Sequence, residues 1–124
     1  MSNQESSKRK KIAFFSMVPP SDNARIETML GYANAAAAMD YETLIFFYLD
    51  GVLIGKQQVF EKLDQKIKSR VREAIDNGVM LRICSLAAQT FGIDKSNLVS
   101  GFEIVGIAYF FAYAEDADIL LSWS

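Results

Sequence analysis

VMLRICSLAAQTFG, residues Val79 to Gly92, is an apolar run that gives way at Cys84 to a short stretch with helical character, closed by a glycine. Val79–Cys84 reads as a buried strand and Ser85–Phe91 as a short helix that Gly92 stops. Strand passing into helix is the repeating unit of parallel α/β sheets, and the same alternation continues on both sides. Upstream, Ile12–Met17 and the aromatic-rich Glu42–Leu49 are strands. Between them Ala24–Met39 is a helix with Ile26, Met29, Leu30 and Ala33 on its buried face, capped from Ser21, Asp22 or Asn23. Val59–Asn77 reads as one amphipathic helix, since Phe60, Leu63, Ile67, Val71, Ala74 and Ile75 recur at steps of three and four; Gly78 supplies a left-handed stop. Downstream, Asp94 caps one more helical turn through Val99. Phe102–Val105 is a brief strand, Gly106–Glu115 a helix and Asp118–Trp123 the last strand.

The order is β-α-β-α-β-α-β-α-β, and the strands are nearly continuous apolar runs. Strands covered on both faces have this composition, so the expected fold is a three-layer α/β sandwich around a mostly parallel five-stranded sheet. The chain has 124 residues, 51% of them apolar, which suits one domain over residues 11–124. Residues 1–10 read as a disordered basic tail. Lys8, Arg9, Lys10 and Lys11 against Glu5 give residues 1–11 a net charge of +3; the whole chain is −2, so the remaining 113 residues carry −5. An acidic body with no basic stripe argues against nucleic acid as a partner. The apolar run after Lys11 is short and ends in Pro19–Pro20, unlike a secretory leader. Glu115, Asp116 and Asp118 make membrane insertion of the apolar C-terminal stretch costly. A single cysteine forms no internal disulfide, so a cytoplasmic location is the expectation.

Cys84 is the only cysteine, and there is no histidine. A Ser–His–Asp or Cys–His catalytic pair within the chain is therefore impossible, and so is a histidine or multi-cysteine metal site. No glycine-rich phosphate loop follows the first strand, and no cofactor is expected. In an open α/β sheet, sites form at the carboxyl ends of strands, here Val18–Asn23, Asp50–Gly55, Cys84–Ser85 and Gly106. Cys84 stands at such an end and leads into a helix at Ser85, where backbone N–H groups favour negative charge on sulfur. The competing reading is a small buried hydrophobe. Arg82, two residues earlier, points to the same side of the strand and is a candidate to approach the sulfur or an anionic adduct on it. Glu103, on the next strand, is a candidate to orient that cation or to accept backbone hydrogen bonds. Tyr109, Phe110, Phe111 and Tyr113 cannot all face one core, so part of the last helix is expected to pack on another subunit.

Three stretches then carry a resemblance. They are Ala35–Ala38 with Tyr41–Gly51 (AAAA…YETLIFFYLDG), Cys84 followed by Gly92–Ile93, and Gly101–Gly106 (GFEIVG) followed by Ala117–Asp118. Together they resemble the DsrE/DsrF-like family of sulfur-trafficking proteins, from about Lys11 to Trp123. The resemblance implies a flavodoxin-like sandwich that assembles as a trimer or hexamer. It also implies a cysteine that carries sulfur as a persulfide or thiosulfonate, loaded from a small donor such as thiosulfate or polysulfide and unloaded onto a TusA-like carrier. Only Cys84 can take that role, with Ser85, Arg82 and Glu103 in support. Relatives with a second cysteine could relay sulfur internally; this chain must use an external thiol. A non-catalytic assembly subunit with a packed Cys84 and a single-cysteine redox sensor are the rival expectations.

Overall fold

The computed structural model describes residues 9–124. The expected disordered tail at residues 1–10 thus lies outside the described residues, except for Arg9 and Lys10. Arg9 Nε donates to the Asp40 carbonyl at 3.2 Å, and the Lys10 carbonyl accepts from Glu42 N–H at 2.9 Å.

The elements run β1 (Lys11–Ser16), α1 (Asn23–Ala38), β2 (Glu42–Phe47), a 3₁₀ helix (Leu49–Gly55), α2 (Gln57–Phe60), α3 (Gln65–Asp76), β3 (Met80–Cys84), α4 (Ser85–Thr90), β4 (Phe102–Val105), α5 (Ile107–Glu115) and β5 (Ile119–Trp123). All neighbouring strands pair in parallel, in the spatial order β4-β3-β2-β1-β5. The expected α/β sandwich with a parallel five-stranded sheet is therefore what the chain forms.

Strand alternation divides the apolar residues between two faces. Ile12, Phe14, Ile45, Phe47, Leu81 and Ile83 join the larger core with α1, α3 and α4. Within it, Ile26, Met29, Leu30 and Ala33 are fully buried, the face the spacing predicts. Asn77 Nδ2 donates to Asn34 Oδ1 at 3.2 Å, and Asn34 Nδ2 donates to the Arg70 carbonyl at 3.3 Å, a polar clasp between α1 and α3. The opposite face holds a smaller cluster of Ala13, Leu44, Phe46 and Phe110, covered by α5. There Phe15 stacks on Tyr48 with centroids 4.0 Å apart and on Phe110 at 4.5 Å. A buried aromatic of this size contributes about 3–5 kcal/mol on truncation to alanine, so Phe110 is the main anchor of that layer.

The structure corrects three local expectations. The single helix expected over Val59–Asn77 is two. The α2 helix ends at Phe60, and α3 starts after Asp64, whose carboxylate accepts from Lys66 N–H at 2.8 Å. Capping at Asp64, with its extended ψ of 141°, outweighs the continuous apolar period. Strand β2 ends at Phe47, and Leu49 opens the 3₁₀ helix rather than closing a strand. The helical turn expected after Asp94 is a tight turn instead. Asn97 N–H donates to the Asp94 carbonyl at 3.2 Å, and Leu98 then bridges to Lys56. Asp94 spends its side chain on Ser96, and that local bonding holds its carboxyl below the usual range.

Candidate functional site

Cys84 is the last residue of β3 and the cap residue of α4, with extended backbone (φ −66°, ψ 127°). Its register partner on β4 is Val105, after which Gly106 leads into α5. The two neighbouring strands deliver their chains to opposite faces: β3 exits to α4 on the larger core, β4 to α5 on the smaller. Such a divergence between adjacent carboxyl ends opens a crevice, the usual location of sites in open α/β sheets.

That crevice is present as a cleft of about 560 Å³ lined by Phe15, Tyr48, Leu49, Asp50, Cys84, Ser85, Leu86, Ala87, Thr90, Phe91 and Ile107. Cys84 is half-buried and free, packed against both cores at their meeting point. Its packing is therefore not that of a sealed core residue. The mouth carries three exposed aliphatic side chains: Leu86 at 73%, Leu49 at 53% and Ile107 at 43% exposure. Leu49 also has φ of +50°, a region that bulky residues rarely adopt and that costs about 1–3 kcal/mol. The β2 exit is held against β1 by Tyr48 N–H, which donates to the Ser16 carbonyl at 2.9 Å.

The sequence-derived candidates fall into two groups. Cys84 and Ser85 stand together on the cleft. Arg82 and Glu103 stand together one step further down the sheet, as register partners whose Nε and carboxylate oxygen are 3.3 Å apart. The Arg82 side chain is only 16% exposed and also donates to the Leu81 carbonyl at 3.3 Å; Glu103 is 66% exposed. Neither lines the cleft with Cys84. Among the described residues, Asp50 is the one acidic or basic side chain that does.

Sequence reasoning placed the Asp50–Gly55 loop and Gly106 at strand ends but missed Phe15, Tyr48, Leu49 and Ile107 as liners. They converge only because β1 and β2 lie beside β3. The available signal was strand-face parity: Phe15 and Tyr48 lie on the same face as Phe46, and so does Cys84. No helix among the described residues is long and apolar enough to cross a membrane.

Known proteins give this geometry a family context. An uncharacterized protein from Methanocaldococcus jannaschii is 28% identical over 95 residues, which are 73% of this chain and 34% of that protein. The chain thus spans about a third of the length of the curated relative it matches. The ychN protein from Escherichia coli has a similar structure, with a TM-score of 0.81 and 19% identity, covering 92% of this chain and 99% of that one. A protein of unknown function from Methanobacterium thermoautotrophicum follows at 0.70 and 17%, covering 90% and 97%. One from Bacteroides thetaiotaomicron stands at 0.68 and 15%, covering 91% and 94%. These structural likenesses support the fold. The family model described as "DsrE/DsrF-like family" matches residues 10–123, nearly the whole chain, and the protein belongs to that family.

Proposed function

We propose that the protein is a sulfur carrier of the transferase type, holding sulfane sulfur on Cys84. Family membership supports a role related to sulfur metabolism. The observation that carries the finer reading is the position of Cys84, half-buried on an open cleft at the divergence of β3 and β4. The Cys84 thiolate attacks the outer sulfur of a donor such as thiosulfate. A bond forms between Sγ and that sulfur, the donor's S–S bond breaks, and sulfite leaves with the electron pair. In the second step a thiolate of a partner, such as a TusA-like carrier, attacks the outer sulfur and Cys84 departs as thiolate. With no second cysteine, the acceptor thiol must come from another molecule. Ser85 adjoins the sulfur on the cleft, while Arg82 and Glu103 brace the strand margin below it. A reducing, cytoplasmic setting suits a lone exchangeable thiol.

Intact-protein mass spectrometry after incubation with thiosulfate, polysulfide, tetrathionate or octasulfur, taken together, tests the reading. Wild type gains a sulfur-containing adduct that reductant removes, and Cys84→Ser does not. No adduct on wild type, or the same adduct on the variant, overturns the proposal.

Self-association is proposed alongside it. Phe111 on α5 is 62% exposed and Leu120 on β5 is 54% exposed, an apolar surface on the thinly covered side of the sheet. Light scattering at micromolar concentration is expected to give a trimer or hexamer; a monomer would count against this surface as an interface.

A further inference from the structure

We infer that the cleft around Cys84 selects uncharged, apolar sulfane-sulfur donors over anionic ones. This rests on the carrier reading and narrows its substrate class. The first observation is the lining. Phe15, Tyr48, Leu49, Leu86, Phe91 and Ile107 line the cleft together with Cys84, and the volume of about 560 Å³ lies within the range of about 300–1,000 Å³ usual for compact small-molecule sites. An anion entering such a pocket loses hydration, and the exchange is unfavourable unless a cation or donors replace the water.

The second observation is the charge at the mouth. No lysine or arginine lines the cleft among the described residues, and Asp50 does. Asp50 is exposed and has no ion-pair partner among the described residues. Two cations on neighbouring elements are engaged elsewhere. Arg82 lies against Glu103 at 3.3 Å, and Lys56 Nζ donates to the Phe91 carbonyl at 2.8 Å. A dianion such as tetrathionate therefore meets a carboxylate and, apart from the backbone N–H groups of the short α4 helix, no positive counterpart, whereas an apolar sulfur ring gains contact with aromatic and aliphatic walls.

Elemental octasulfur is the simplest member of the favoured class. The Cys84 thiolate forms a bond to one ring sulfur, one ring S–S bond breaks, and the electron pair ends on the terminal sulfur of an opened chain. Sγ is oxidised by one unit and the terminal sulfur is reduced by one, so no further reactant is needed. The charge of the product sits at the far end of a chain that reaches toward solvent.

The test measures rates of Cys84 labelling by octasulfur delivered from acetone and by tetrathionate. Each rate is divided by that donor's rate with N-acetylcysteine, to remove intrinsic reactivity. The expected normalised rate is at least about tenfold higher for octasulfur. In Asp50→Asn the gap narrows by about fivefold at low salt, the size of one charge contact in water, and the narrowing fades as salt rises. Leu86→Lys, at an exposed rim position, narrows it in the same direction by supplying a cation. Equal normalised rates in wild type, or a gap that both variants leave unchanged, overturn the inference while leaving the carrier reading standing. Labelling by neither donor, in a protein whose Cys84 still reacts with iodoacetamide, overturns the carrier reading itself.

Discussion

Gly51 lies in the 3₁₀ helix that forms one wall of the cleft, and replacing it with alanine tests how that wall is held. A Cβ at this position would stand 2.9 Å from the Ser16 carbonyl oxygen and 3.3 Å from Met17 Cα. Both obstacles are backbone, so no rotamer change relieves them. The Ser16 carbonyl is also the acceptor for Tyr48 N–H at 2.9 Å, and backing away from the new methyl strains that bond. Overpacking of this kind costs about 1–3 kcal/mol. With a urea slope of about 1–3 kcal/mol/M for proteins of this size, the unfolding midpoint of Gly51→Ala falls by about 1 M. Gly78→Asn is the comparison. Its φ is +82° with nothing within 4 Å of a Cβ, and asparagine accepts the left-handed backbone, so its loss stays below about 1 kcal/mol. Urea unfolding followed by circular dichroism measures both. A Gly51→Ala protein within about 0.5 kcal/mol of wild type, or no weaker than Gly78→Asn, would refute the close approach of the 3₁₀ helix to the end of β1.

Two further outcomes follow from the charges. Arg82→Met, which replaces a largely buried guanidinium by an apolar chain of similar length, is expected to change stability by less than about 1 kcal/mol; Glu103→Ala, which leaves that guanidinium unpaired, is expected to cost more, and urea midpoints rank the two. The Asp22 carboxylate accepts from the Arg25 side chain at 2.6 Å and from Arg25 N–H at 3.3 Å, which hold its carboxyl below its ordinary value of 3.8. Because the folded value is the lower one, the stabilisation of the α1 N-terminus is complete above the unfolded value and is lost as pH falls through the folded value. Carboxyl carbon shifts followed by NMR should give an Asp22 midpoint below 3.8, and a midpoint at or above it would count against the cap.

Much of the architecture was legible because the strands advertise themselves. ETLIFF and VMLRIC are dense in branched and aromatic residues, and no helical period competes with them. Helix α1 was legible for the complementary reason: Ile26, Met29, Leu30 and Ala33 mark one face, and Asp22 caps it. The break at Asp64 was hidden because Phe60, Leu63 and Ile67 keep helical spacing across it. An aspartate reads equally well as a solvated helix residue or as a cap, and only the backbone decides. Cys84 and Ser85 were readable as a strand end, a property of local sequence. The cleft around them was not, since Phe15 and Tyr48 reach it through strand order, which pairwise spacing does not encode. Arg82 was placed on the right side of its strand. Its alliance with Glu103 rather than with the sulfur depends on the β3–β4 register, a long-range fact.

The divergence of the chain at β3 and β4 has a consequence for stability under modification. A group added to Cys84 grows into a gap between two layers instead of into either one. No sheet hydrogen bond must open to admit it, and neither apolar cluster must repack to make room. The loaded form should therefore unfold no earlier than the unloaded one. A carrier of the proposed kind, built this way, could change the size of what it holds, from one sulfur atom to a chain of several, without losing folding stability.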